Sequence, residues 1–287
     1  MTSINIDQEL IDAAMAGDAA KASELLAYGA DPRSHESGAL RWAAKNGHAE
    51  CVKLLLPVSD ATENASQALR WAVELGHAEC VKLLLPVSDA TEHENAALRD
   101  AAYHGHVGCV RLLLPVSDAK ENQSQALRWA AANGHVECAR LLLPMSDPLA
   151  RASEALRWAA RHGHVECVRL LLPVSDAKAK GSTALRSAAR EGHAECAMLL
   201  IPASEPVIEM DVLLEQVIAA GRAKVAALLI EEEPRLLDGV DLSQCLAEAL
   251  ENGHVDMAGF LSSIIEKKEL LGIAPPRTAS GYGLARL

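Results

Sequence analysis

The sequence predicts an all-α chain built from stacked helix-turn-helix units. Three observations predict it: a motif that returns at one fixed interval, helices too short to stand alone, and a core composed of Ala, Leu, Val and Cys. ALRWAA at Ala39 recurs as ALRWAV at Ala68, ALRDAA at Ala97, ALRWAA at Ala126 and Ala155, and ALRSAA at Ala184, in steps of 29 residues without insertion. Half of the 287 residues are apolar but only 3% are aromatic, which suits closely packed helices with thin layers between them.

Within a block, Ser66 to Leu75 reads as a short first helix, opened by a Ser N-cap and closed by Gly76 at the left-handed C′ position. Ser37, Asn95, Ser124, Ser153 and Ser182 hold the same place, each able to satisfy an orphan backbone N–H. A second helix follows from about Ala78 to Leu85, with Cys80, Val81, Leu83 and Leu84 as its apolar stripe and Pro86 as its stop. Neither helix reaches the roughly 12 residues at which an isolated helix becomes marginal, so each unit must lean on its neighbours.

The motif Ala-Leu-x-x-Ala-Ala-x-x-Gly-His-x-x-x-Val-x-Leu-Leu-Leu resembles the ankyrin repeat, and Leu10 to Pro32 resembles an ankyrin first repeat. The resemblance runs from about Glu9 to Leu271 and implies an ankyrin-like helical-repeat solenoid of about nine units. Residues 1–271 are then one repeat domain. It comprises an N-terminal capping repeat at 8–37, six 29-residue repeats at 38–211 and divergent capping repeats at 212–271, with 272–287 as a tail. Polar residues such as Glu215, Gln216, Glu248 and Glu251 suit an outer cap. The family usually repeats at about 33 residues with Thr-Pro-Leu-His at the first helix; here the period is 29 and the matching stretch is Gln67-Ala68-Leu69-Arg70. The shortening falls between Leu85 and Leu98, so the β-hairpin fingers of the family are expected to be shortened or absent. This short variant is expected to be of a bacterial type.

The net charge of −12 argues against tracking a nucleic-acid backbone. No apolar run approaches the roughly 20 residues of a membrane helix, and Met1 to Glu9 carries no basic stretch. A cytoplasmic monomer is expected, with export by a signal-less route left open. Neither a phosphate loop, nor a nucleophile elbow, nor a His-Glu-x-x-His helix, nor a dinucleotide fingerprint occurs, so no catalytic residue and no cofactor is assigned.

Six of the seven cysteines share one repeat position, as in His48 with Cys51, His77 with Cys80 and His164 with Cys167. The spacing suits soft metal ligands, but the resemblance assigns Gly-His to the turn between helices and Cys to a core place, and free Cys packs as a small hydrophobe. No metal site is assigned. An Arg follows the first-helix Leu in every block (Arg41, Arg70, Arg99, Arg128, Arg157, Arg186) and an acid sits in every loop (Asp60, Asp89, Asp118, Asp147, Asp176, Glu205). The two sets read as an ion-pair or loop-carbonyl ladder, with an anion-binding stripe as the alternative. Glu50, Glu79, Glu137 and Glu166, each followed by a cation three residues on, read as a solvated face of the second helices.

All four tryptophans share one first-helix position, Trp42, Trp71, Trp129 and Trp158, with Asp100 and Ser187 at the same place in other blocks. The resemblance puts this position on the concave face. Trp as mutual cover and Trp as interface anchor are both open, and the change to Asp100 or Ser187 favours exposure. Three residues on, Lys45, Glu74, Tyr103, Ala132, Arg161 and Arg190 vary between fixed flanks. Asp100, Tyr103 and His104 interrupt the Trp row. The expected partner is another protein, presenting apolar elements to the flanks and a basic or donor group to the middle, and bound at Trp42, Trp71, Asp100, Tyr103, His104, Trp129, Trp158, Arg161 and Arg190. The expected function is a non-catalytic protein-binding module. Immunity or inhibitor protein, host-targeting effector and self-assembling scaffold are the alternatives.

Overall fold

A computed structural model describes residues 6–204, 210–238 and 240–270; for residues 63–65, 92–94, 181, 210 and 211 it describes the backbone alone. The expected tail at 272–287 and the loop acid Glu205 lie outside the described residues. Contacts divide the chain into two compact units, residues 1–159 with 166–176, and residues 160–165 with 177–287. Eighteen α-helices and no strand occur among the described residues, so the β-hairpin fingers are absent there. None of these helices is long and apolar enough to cross a membrane.

In the first unit, first helices such as Glu63–Glu74, Glu92–His104 and Glu121–Ala132 pack on the next first helix, and second helices such as Ala78–Leu84 and Val107–Leu113 pack on the next second helix. The layer between them is filled by fully buried Leu69, Leu84, Leu98 and Leu113, with Cys80 and Cys109 beside them. The second unit repeats the pairing with Ala179–Glu191 and Ala194–Leu200, then Met210–Ala219 and Ala223–Glu232, then Leu242–Glu251 and Val255–Leu270.

The second α-helix ends at Leu84, as expected from Pro86, which sits in the 3-10 turn Leu85–Val87 that follows it. Proline suits this place because the first residues of a helical turn need no intrahelical N–H bond. The Ser N-caps are corrected. Ser66, Ser124 and Ser153 are buried with φ of 52°, 57° and 54°, a left-handed conformation that costs a non-Gly residue about 1–2 kcal/mol. Their hydroxyls serve the neighbouring repeat. Ser66 Oγ accepts from Asp89 N at 3.1 Å, Ser124 Oγ from Asp147 N at 2.7 Å and Ser153 Oγ from Asp176 N at 2.8 Å. A loop amide that would be orphaned inside the stack is thereby paired.

The arginine ladder takes the loop-carbonyl form. Arg128 Nη2 donates to Asn122 O at 2.9 Å, Arg157 Nη2 to Arg151 O at 3.0 Å and, in the second unit, Arg186 Nη2 to Lys180 O at 2.9 Å. Each guanidinium thus braces the left-handed turn at the head of its own helix. The ion-pair form is corrected at Asp60, Asp118 and Asp147, whose carboxylates accept from the backbone N–H two residues on. They close their own loops as Asx turns.

The Gly-His pairs stitch one repeat to the next. His77 Nε2 donates to Lys45 O at 2.9 Å, His106 Nε2 to Glu74 O at 2.9 Å and His135 Nε2 to Tyr103 O at 3.0 Å. The carbonyl can only accept, so Nε2 carries the proton. Each ring packs against the glycine of the preceding repeat: a Cβ on Gly76 would stand 2.6 Å from His106 Nδ1.

Candidate functional site

The position three residues after the core Leu's predecessor faces outward from every first helix, because the Ala and Leu on either side of it turn inward. The first unit carries Trp42, Trp71, Asp100, Trp129 and Trp158 there, and the second carries Ser187 and Gln216. These side chains are partly exposed, with Trp129 the most exposed indole at 39%. The row does not present a uniform surface.

Trp42 and Trp71 are occupied from within the chain. Their rings lie 5.7 Å apart, and Lys45 Nζ stands 4.6 Å from one centroid and 4.9 Å from the other. A lysine held over two indoles is a cation–π contact worth about 0.5–2 kcal/mol. Trp158 is engaged differently: its indole N–H bonds to Glu154, which also pairs with Arg128 and lies 3.5 Å from Arg151. Burial raises the Glu154 carboxyl, but bonds from Arg128 and Trp158 and the charges of Arg128 and Arg151 outweigh it and hold the group below the usual carboxylate range.

Between these clusters the centre is open. Tyr103 is 44% exposed and meets Trp129 edge to face, with centroids 5.3 Å apart. With Arg99, Asp100, His104 and Gln125 they line a depression of about 370 Å³. His104 bonds through Nδ1 to Asp100 O at 2.9 Å, and its ring stacks 5.7 Å from His106. Burial pushes the Asp100 carboxyl up; Arg99, Arg70 and His104 pull it back, and Glu74 adds to the rise.

In the second unit, Arg161 and Arg190 are exposed on first-helix positions. Arg190 lines a hollow of about 310 Å³ with Arg186, Ser187 and Gln216. Burial, His164 and Arg161 lower the His162 imidazole.

The sequence missed the part played by four residues. Lys45 fills the first Trp pair, and the signal was its place three residues beyond Trp42. Glu154 ties Trp158 at a first-helix opening whose acid had no assigned role. Arg99 and Gln125 wall the central depression, joined by a 3.3 Å bond from Arg99 Nη1 to Gln125 Oε1.

The cysteines belong to the core. All six at the repeat position are buried, and burial pushes the thiols of Cys80, Cys109, Cys138 and Cys196 up to about 11. At His77 and His106 one ring nitrogen is spent on a carbonyl and the other faces glycine. Among the described residues no three His, Cys, Asp or Glu side chains gather as a metal site.

Residues 10–93, 87–152 and 147–212 each match the family described as ankyrin repeats (3 copies). The chain belongs to the ankyrin-repeat family. Among solved structures, the ankyrin repeat domain of human ASB11 is similar to it, with a TM-score of 0.51 and 24% identity over 61% of this chain and 95% of that one. That likeness concerns the fold. No curated protein matches the sequence. Ankyrin repeats generally act as protein–protein interaction modules and typically carry no catalysis.

Proposed function

We propose that this ankyrin-repeat chain is a non-catalytic module that captures another protein on the outward face of its first helices. Its anchors are Tyr103 and Trp129, with Asp100 and His104 beside them. Trp42, Trp71 and Trp158 form the flanks of the contact in the first unit; in the second unit, taken by itself, Arg161 and Arg190 are the proposed partner contacts. The observation that carries this reading is the exposure of an edge-to-face Tyr103–Trp129 pair at 44% and 39%. Exposed aromatic anchors of this kind carry most of the energy of an interface, about 2 kcal/mol or more each. An inhibitor that covers a basic partner fits the net charge of −12 better than a self-stacking scaffold, because copies of an acidic chain repel one another.

The test is quantitative capture of partners from the native extract by immobilised wild type, by a Tyr103→Ala/Trp129→Ala variant and by a Lys82→Ala control on the solvated second-helix face. The partner should fall by about 30-fold or more with the aromatic pair removed and be unchanged with the control. Equal capture by all three proteins overturns the reading.

A further inference from the structure

The repeats supply their own template for what the central depression accepts. Moving two repeats along the chain takes Trp42 to Asp100, Lys45 to Tyr103 and Trp71 to Trp129. At the first place the chain provides the cation, with Lys45 Nζ 4.6 and 4.9 Å from two indoles. At the second, a phenol ring replaces the lysine and still lies 5.3 Å from the following indole. The indole of the earlier triad has become a carboxylate. The smaller Asp100 leaves the hollow beside Tyr103 and Trp129, so two aromatic walls and an acid remain, with Arg99 at the edge and a tyrosine where Lys45 would stand.

Resting on the reading of this face as a protein-binding surface, we propose that the hollow is a socket for one lysine side chain of the partner. The stem lies along Tyr103 and Trp129, and the ammonium meets the Asp100 carboxylate. The charges of Arg99, Arg70 and His104 bear on the Asp100 carboxylate. A wholly apolar side chain would strip water from that carboxylate and return no hydrogen bond. An acidic side chain would add a like charge. Lysine satisfies both parts of the lining, because its methylenes bury against rings while its head group stays polar. Arg70 and Arg99 limit the strength of the site, since they already screen Asp100. The lysine therefore binds weakly alone and contributes as one anchor of a larger contact. The charge of −12 draws basic partners toward it.

The probe is N-acetyl-lysine methylamide, titrated into the full-length ¹⁵N-labelled chain while the four indole N–H resonances are followed. The Trp129 resonance should move and saturate on the order of 10 mM, with those of Trp42, Trp71 and Trp158 nearly still. The norleucine analogue, which lacks the ammonium, and the Asp100→Asn protein should each weaken the response by roughly fivefold. Equal response to norleucine, no effect of Asp100→Asn, or uniform movement of all four indoles overturns the socket. A second arm uses the capture assay with lysine-acetylated extract. Capture that still depends on Tyr103 and Trp129 but survives acetylation overturns the lysine socket and leaves the protein-binding face standing. Capture indifferent to both aromatic residues removes the face itself.

Discussion

Asp100 is a carboxylate in a place built for an indole, and its surroundings set a measurable sign. Burial raises its pKa in the folded chain above the unfolded value, against the pull of Arg99, Arg70 and His104. The folded state therefore holds the proton more tightly than the unfolded one, and the ionised group costs stability at neutral pH. Stability is regained as pH falls through the raised pKa toward the ordinary value of about 3.9. Asp100→Asn should accordingly unfold at a higher urea concentration than wild type at pH 7. The gap should close by about pH 3.5, and a gap independent of pH would contradict this account. Neighbouring residues show how far the site was legible. The Trp row, its interruption at Asp100 and the variable Tyr103 were visible as one-dimensional pattern. That Lys45 occupies Trp42 and Trp71 while Trp129 stays open was not, because it depends on which side chains meet between repeats.

At the scale of the element, the first and second helices were legible because burial recurs with helical spacing. Their junctions were misread. Ser66 looked like a local cap, yet its oxygen serves Asp89, 23 residues away; local sequence carries no trace of a bond made across a layer. Gly76 was read correctly as the left-handed end of its helix, whereas the bond of His106 to Glu74 O was not, and their junction carries the sharpest expectation. Gly76 has φ +79°, and a Cβ there would meet the His106 ring at 2.6–2.9 Å. Gly76→Ala must bear left-handed strain and displace the ring from Glu74 O. The loss in denaturant unfolding should be about 2–3 kcal/mol. His106→Ala removes the obstacle, so Gly76→Ala measured in that background should cost only the strain, about 1 kcal/mol.

At the scale of the whole molecule, the 29-residue step makes the repeat a unit of subtraction. Removing residues 96–124 joins Asn95 to Gln125, so the head of the first helix Glu92–His104 runs on into what remains of Glu121–Ala132 in the register it already had. His135 then meets Glu74 O and Gly76 in place of His106. The shortened chain should remain cooperatively folded, with mean-residue helicity by circular dichroism within about a tenth of wild type and a lower melting temperature. It should lose partner capture, because Asp100, Tyr103 and His104 leave together and Trp71 and Trp129 become neighbours. Retained capture would place the binding surface elsewhere on the chain.

The histidine stitch has a consequence for ancestry. Because each imidazole reads a carbonyl and a glycine supplied by the preceding copy and nothing further away, a duplicated or lost copy still finds the same docking atoms. Genetic recombination between such similar segments yields offspring of different length that fold on arrival, and selection is then free to rewrite only the few outward letters.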